Sequence, residues 1–276
     1  TFAGGATAWK AEQLAGCAQR AGAGHVVAIS SMDVYQYLVD AGIGEGNPGT
    51  PVPRAPLPVR EPYPLREEPY PGAQPVTGGG VHDNVAMEAA LRSGFAGAIT
   101  ALRPGAIYGP HPDARERELV ERVRARERTL ALPGGGDQIF HRVAVERVGR
   151  AVAAAVALRT TGSSSGHFGP HIGPNCPLDG FWACNVGDPG DWTYGGLAAE
   201  IARLLDWEFV FEPVSFDAAE HPWQSRHPVL CDTRRLEEGL GVTEPEPAAA
   251  LAECVSWLWE HPVHGRSAPG LRPSDR

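Results

Sequence analysis

The sequence predicts an α/β fold built on a parallel sheet, and three observations point to it. Short apolar runs of strand length alternate with amphipathic helical patterns along most of the 276 residues. "HVVAIS" at 25–30, the clearest of these runs, is continuously apolar rather than alternating, as expected of a strand buried on both faces. No internal period of about 20–50 residues repeats, so a solenoid or propeller is set aside.

In chain order, "TAWKAEQLAGCAQRAGA" (7–23) reads as an amphipathic helix closed by glycine, and "HVVAIS" follows it as a buried strand. Residues 41–80 are rich in Gly and Pro and read as a long surface excursion. "HDNVAMEAALRSG" (82–94) is helical, with Val85, Met87, Ala90 and Leu91 forming its apolar side. "AGAITALRPGAIYGP" (96–110) is a second buried strand running into a turn. "DARERELVERVRARER" (113–128) carries charge almost all round, the pattern of a solvated helix laced with i,i+4 pairs. "TLALPGGGDQ" (129–138) is a strand and turn; its glycines lack the GK[ST] ending of a phosphate loop.

"VERVGRAVAAAVAL" (145–158) is a helix whose small residues suit close packing on a sheet, and "RTTGSSSGHFGPHIGPNCP" (159–177) is a flexible insertion. "FWACNVG" (181–187) and "EFVFEPV" (208–214) are strands; "TYGGLAAEIARLLD" (193–206) and "ALAECVSWLWEH" (250–261) are helices.

Composition narrows the function. A net charge of -9 disfavours a nucleic-acid partner, which needs clustered cations. No apolar run approaches the ~20 residues that span a membrane, and no signal peptide is visible; the expected location is cytoplasmic. Cys17, Cys176, Cys184, Cys231 and Cys254 include no CxxC pair, which fits reduced thiols better than a disulfide framework. No HExxH or Cys/His spacing suggests a metal, and His167 and His171, four apart, lie in a Gly/Pro-rich stretch without helical geometry. Lys10 is the only lysine, so any chemistry that needs one has this candidate alone within the chain.

Five segments, in order, resemble the extended short-chain dehydrogenase/reductase family, the NAD-dependent epimerases and dehydratases. "VVAISSMDVY" is similar to that family's strand and Ser-Ser-x-x-Val-Tyr turn, and "LRPGAIYGP" to its Arg-Pro-Gly-x-x-Tyr-Gly-Pro turn. "FHRVAVERVGRAVAAAV" resembles the Val-x-Asp-Asp-Val-Ala stretch, "FWACNVGDP" the Tyr-Asn-Val-Gly strand, and "HPVLCDTRRLEEGLGVTEPEPAAALAECVSWLWEH" the closing segment.

The match runs from about residue 7 to residue 262. It implies an incomplete Rossmann-like parallel sheet with its N-terminal half missing, plus a small C-terminal α/β substrate lobe. Residues 1–110, continued by 143–160 and 180–190, would form the nucleotide-binding part. Residues 111–142 and 191–262 would form the substrate lobe, and 263–276 a disordered tail.

Two departures from the family accompany the match. The strand, Gly-x-x-Gly-x-x-Gly turn and helix that hold the dinucleotide pyrophosphate have no counterpart, since "TFAGGATAW" has neither the spacing nor the preceding strand. The sequence therefore reads as a fragment or truncated form of a longer chain. NAD or NADP would be the cofactor of the full-length protein, with none bound appreciably by this chain alone. The second departure concerns the family's tyrosine and lysine, four apart on one helix, which move the proton and bind ribose. Alignment on "VAMEAAL" puts Gly80 and Asn84 there; against a compressed Tyr-Asp-Lys the residues are His82, Asp83 and Asn84. Either way the pair is absent.

The resemblance assigns four catalytic candidates. Ser31 matches the serine or threonine that hydrogen-bonds the reacting oxygen, or else simply ends a strand. His82 reads either as a replacement proton-transfer group or as a surface histidine at a helix start. Its neighbour Asp83 points about 100° away on a helix, which argues against a dyad between them and suits an N-cap. Asp33 resembles the acidic position that dehydratases use for proton work, or is an Asx-turn residue. Asn84 could donate to a ribose hydroxyl but supplies no cation.

Ser30, Pro104, Gly105, Ala106 and Ile107 are the cofactor-binding candidates, the last four matching the turn that lies against the nicotinamide; Ser30 reads rather as a structural serine. His141 and Arg142 fall where relatives place a substrate-facing basic residue, although "QIFHRVAV" reads also as an ordinary strand start, and Trp223 lies on a loop that could cap a substrate. The implied partners are a small-molecule substrate and, by analogy with the family, a second copy in a homodimer, with neither nucleic acid nor membrane. Three functions follow from these readings: an NAD(P)-dependent epimerase, dehydratase or reductase acting on a sugar-like or other small hydroxylated substrate; a non-redox isomerase or lyase using His82 or Asp33 as base; and a non-catalytic small-molecule or nucleotide binder.

Overall fold

The structure, a computed structural model, describes residues 7–40, 57–67, 81–112, 114–161, 180–190, 192–216, 227–243 and 247–262. The chain divides into two compact units. Unit 1 comprises Thr1–Gly105, Glu146–Gly187 and Val229–Thr243; unit 2 comprises Ala106–Val145, Asp188–Pro228 and Glu244–Arg276. Residues 229–243, which the sequence suggested for the second lobe, fall in unit 1. Val59 bridges Cys231 there, Leu236 is fully buried, and Arg235 donates to the Ala183 carbonyl at 2.9 Å.

Unit 1 is organised by a three-stranded parallel sheet in the order β1 (His25–Ile29), β2 (Ala98–Pro104), β6 (Phe181–Val186). Register runs from His25 opposite Ala98, and Ile99 opposite Phe181. Every residue of β2 is buried, which explains its unbroken apolar run. Helices α1 (Ala8–Arg20) and α3 (Asn84–Gly94) pack together. Ala11, Ala15, Met87, Ala90 and Leu91 from these helices meet Val26, Ala28 and Ile99 in one core. Thr7 caps α1 by accepting from the Lys10 N–H at 3.2 Å. Short α2 (Gln36–Asp40) follows β1 after a single 3-10 turn over Met32–Val34. The long helix α5 (Val145–Thr161) buries Val148, Ala151, Ala155 and Leu158 at helical spacing.

The Gly/Pro-rich excursion is not all surface. Residues 57–67 run into unit 1, where Val59 and Arg66 are buried and Leu65 bridges Tyr35. Arg66 N–H donates to the Val34 carbonyl at 2.9 Å and Gln36 N–H to the Pro64 carbonyl at 3.0 Å. Proline- and glycine-rich composition marks an absence of regular structure, and here irregular backbone is held by specific hydrogen bonds.

Unit 2 carries two parallel strand pairs, β3 (Ala106–Tyr108) with β5 (Arg142–Ala144) and β4 (Thr129–Pro133) with β7 (Val210–Val214). Helices α4 (Arg117–Arg124), α6 (Tyr194–Leu204) and α7 (Pro247–Glu260) close its core. Leu119, Val120 and Val123 meet Leu197, Ile201, Leu251, Val255 and Leu258 there. The charged helix is thus not solvated all round: three apolar residues bury one side. The other side carries the expected i,i+4 pairs, Arg117–Glu121 at 3.3 Å and Arg122–Glu118 at 3.1 Å. Gly109, at φ 152°, follows β3; a Cβ there would lie 2.5 Å from the Val145 side chain, so both backbone and space call for glycine. No described helix is long and apolar enough to cross a membrane.

Candidate functional site

Because β1, β2 and β6 are parallel, Ser30–Ser31, Pro104–Gly105 and Gly187 all leave the sheet at its carboxyl edge, where open α/β sheets bind ligands. Ser31 takes an extended conformation and its Oγ accepts from the Asp33 N–H at 3.1 Å, starting the 3-10 turn that presents Asp33. Asp83 caps α3, its Oδ1 accepting from Val85 N–H at 3.0 Å and Ala86 N–H at 3.2 Å. Asn84 opens that helix and His82 directly precedes the cap.

These two turns bring together three of the four catalytic candidates. Asn84 Nδ2 lies 2.9 Å from each carboxylate oxygen of Asp33 and 3.1 Å from His82 Nε2. His82 Nε2 is 3.5 Å from Asp33 Oδ2. Asn84 is buried, whereas the His82 side chain is 36% exposed and open to a ligand. The Asp33 hydrogen bond, opposed by partial burial, holds the His82 pKa above the ordinary histidine value. Ser31 adjoins the cluster through the Asp33 backbone. The partner of His82 is Asp33, across 49 residues; Asp83 is turned into its helix cap.

Arg66 completes the cluster from the 57–67 segment. Its side chain is only 1% exposed; Nη2 lies 3.0 Å from Asp83 Oδ1 and 4.0 Å from Asp33 Oδ1, and Nε donates to the Asp33 carbonyl at 2.9 Å. Nothing in the sequence pointed to this residue. It stands in an irregular stretch and its partners are distant along the chain.

Ser30, one residue before Ser31, belongs to a different arrangement. Its Oγ donates to Glu88 Oε1 at 2.7 Å, and Arg103 grips the same carboxylate with Nε at 2.9 Å and Nη2 at 2.7 Å. Arg103 Nη1 reaches Tyr35 Oη at 3.0 Å, and Tyr35 donates on to Asn185 Oδ1 at 2.5 Å. Asn185 in turn donates to the carbonyls of Val59 and Asp232. Burial works against the Arg103 charge, but the Glu88 hydrogen bonds outweigh it and hold the guanidinium above its usual pKa; burial pushes the Tyr35 phenol up. The Ser30 hydroxyl, a cofactor candidate from sequence, is engaged in this network. The available signal was Arg103 itself, a charge inside an otherwise apolar strand, which requires a buried acid nearby.

Of the remaining cofactor candidates, Pro104 is the buried last residue of β2 and Gly105 N–H donates to the Val186 carbonyl at 3.0 Å. In unit 2, Ala106 N–H donates to the His141 carbonyl at 2.9 Å, and Ile107 is exposed. His141 and Arg142, expected to face substrate, are both buried. The Arg142 guanidinium pairs with Glu116 and lies 4.3 Å from the Tyr108 ring centre, so it serves the interior of that unit. Tyr108 Oη donates to Asp188 Oδ2 at 2.7 Å in the same cluster. Trp223 lies outside the described residues. Among the described residues, no group of three or more His, Cys, Asp or Glu side chains could hold a metal.

No protein-family model matches the chain, and no curated protein matches its sequence. Solved structures do match in fold. UDP-glucose 4-epimerase from Bifidobacterium longum, in complex with NAD+ and UDP, superposes with a TM-score of 0.61 at 13% identity, over 91% of this chain and 68% of that one. UDP-glucuronic acid 4-epimerase from Bacillus cereus, in complex with UDP-glucuronic acid and NAD, gives 0.60 at 13%, over 91% and 66%. DesIV, the dTDP-glucose 4,6-dehydratase of Streptomyces venezuelae with NAD bound, gives 0.59 at 19%, over 91% and 64%. The chain therefore has the Rossmann-like α/β fold of these epimerase and dehydratase structures, and it spans about two thirds of their length.

Proposed function

We propose that the protein is an acid–base enzyme of the NAD-dependent epimerase and dehydratase type, acting on a sugar-like or other small hydroxylated substrate, with His82 and Asp33 in place of the tyrosine–lysine pair. The observation that carries this reading is the accessible His82 imidazole, 3.5 Å from Asp33 and 3.1 Å from Asn84, at the carboxyl edge of the sheet.

The cluster accommodates both protonation states of the ring. Neutral His82 can accept an Asn84 amide hydrogen at Nε2, while the second amide hydrogen stays on Asp33. When Nε2 is protonated, its N–H faces the Asp33 carboxylate. The exposed part of the ring can then take a proton from a substrate hydroxyl or return one to a developing alkoxide. Asp33 stabilises the imidazolium that forms, and in this reading Ser31, whose Oγ starts the turn that carries Asp33, hydrogen-bonds the reacting oxygen.

A nicotinamide dinucleotide is the cofactor class that the fold suggests, but the described residues do not by themselves fit one. Among them, no strand leads through a glycine-rich turn into a helix N-terminus, the usual pyrophosphate cradle. Ser30 is engaged with Glu88, and the Asn84 amide spans Asp33 and His82. No step is assigned to the cofactor. For the same reason a non-redox isomerase or lyase is a second reading, since the His82–Asp33 pair functions without a nicotinamide.

The test is turnover of a panel of nucleotide-activated sugars with NAD+, with NADP+ and with neither, for the wild-type protein and His82→Gln. Turnover that needs a nicotinamide supports the first reading, and turnover without one the second. In either case His82→Gln should lose about 10²- to 10⁴-fold in kcat, the ordinary contribution of a general acid–base group. Full activity in His82→Gln, or binding without turnover in every arm, overturns the acid–base assignment.

A further inference from the structure

We propose that Arg66 is the positioning residue of the His82–Asp33 pair, clamping the two turns that carry its members. The pair is assembled from segments about fifty residues apart, the 3-10 turn at 32–34 and the start of α3 at 82–84, so something must hold them in register. Arg66 contacts both. Its Nε hydrogen bond at 2.9 Å fixes the Asp33 carbonyl, and hence the backbone from which the carboxylate projects. Its Nη2 contact at 3.0 Å fixes Asp83, the cap between His82 and Asn84. Its own backbone is pinned by the N–H bond to the Val34 carbonyl.

The guanidinium is almost wholly buried, so it cannot trade these contacts for water, and its planar fork serves two acceptors at fixed geometry. A lysine ammonium at this site would keep the charge but lose the fork. A further feature argues for positioning over plain charge balance. Arg66 stands closer to Asp83, 3.0 Å away, than to the Asp33 carboxylate at 4.0 Å, leaving Asp33 to Asn84 and His82.

The catalytic meaning of this role rests on the reading of His82 given above, but its test needs no turnover, so the two can fail separately. The readout is the His82 imidazole titration, followed by NMR in the intact protein. If Arg66 were merely a nearby cation, replacing it with glutamine would raise the His82 pKa, because a repelling charge is gone. If Arg66 positions the pair, Asp33 loosens and the titration midpoint falls toward that of an ordinary histidine. The positioning role predicts the fall in Arg66→Gln and also in Arg66→Lys, which keeps the charge. A midpoint that rises or stays put in whichever variant folds overturns the proposal. In the unsubstituted protein the Arg66 Nε–H should exchange with solvent at least tenfold more slowly than a free guanidinium; unprotected exchange overturns it equally.

Discussion

Among the arginine–carboxylate clusters described in unit 1, two have adjacent serines belonging one to each. Ser30 enters the Glu88–Arg103–Tyr35–Asn185 network, and Ser31 borders the Asp33–His82–Asn84–Arg66 cluster. In the first, every named side chain is buried and Arg103 is held by a two-pronged bond to Glu88. In the second, the arginine is as deeply buried, but the histidine opens to solvent. The difference is between a network whose named side chains are all buried and one whose titratable histidine is partly exposed. Chemistry needs the second kind; the first supports the edge on which the second is built.

The largest expected effect breaks the first cluster. Glu88→Ala leaves the Arg103 guanidinium buried without its main counter-ion, and unfolding free energy should fall by about 3–5 kcal/mol in chemical denaturation. Above the His82 midpoint, His82→Gln should leave stability nearly unchanged while depressing turnover, so the two substitutions separate fold support from chemistry. A smaller effect sharpens the boundary between the clusters. Asp83→Ala removes the α3 cap, costing about 1 kcal/mol, and also the anchor of Arg66. Asp83→Asn keeps the cap and should cost less in the same denaturation experiment. Equal losses in the two variants would show that the cap contributes nothing.

Much of the fold was legible because buried parallel strands and amphipathic helices write their periods into the chain: β1, β2, β6 and α3 all lie where their apolar patterns place them. The buried side of α4 was hidden, since Leu119, Val120 and Val123 are outnumbered by flanking Arg and Glu. The candidate site was legible only in pieces. Ser31, Asp33, His82 and Asn84 could be named from resemblance, but the pairing of His82 with Asp33 is a long-range contact that no local pattern encodes. Arg66 was invisible for a related reason. Residues 57–67 carry neither helical nor strand periodicity, and what fixes them is a set of hydrogen bonds to Val34, Asp33 and Asp83. Where local propensity is silent, tertiary contacts decide.

The His82–Asp33 bond also sets a sign for the pH dependence. A histidine whose folded pKa is raised stabilises the protein fully below its unfolded value of about 6.5. That contribution is lost as pH rises through the folded value. Removing Asp33 removes the largest cause; partial burial and Arg66 oppose the charged ring, and only the weaker pull of Asp83 still favours it.

The most direct test of the account is therefore the NMR titration of His82 in the wild-type protein beside Asp33→Asn. The account predicts a wild-type midpoint above about 6.5 and an Asp33→Asn midpoint at or below it. Indistinguishable midpoints in two folded proteins would contradict it, for His82 would then be a surface histidine without its proton-transfer partner.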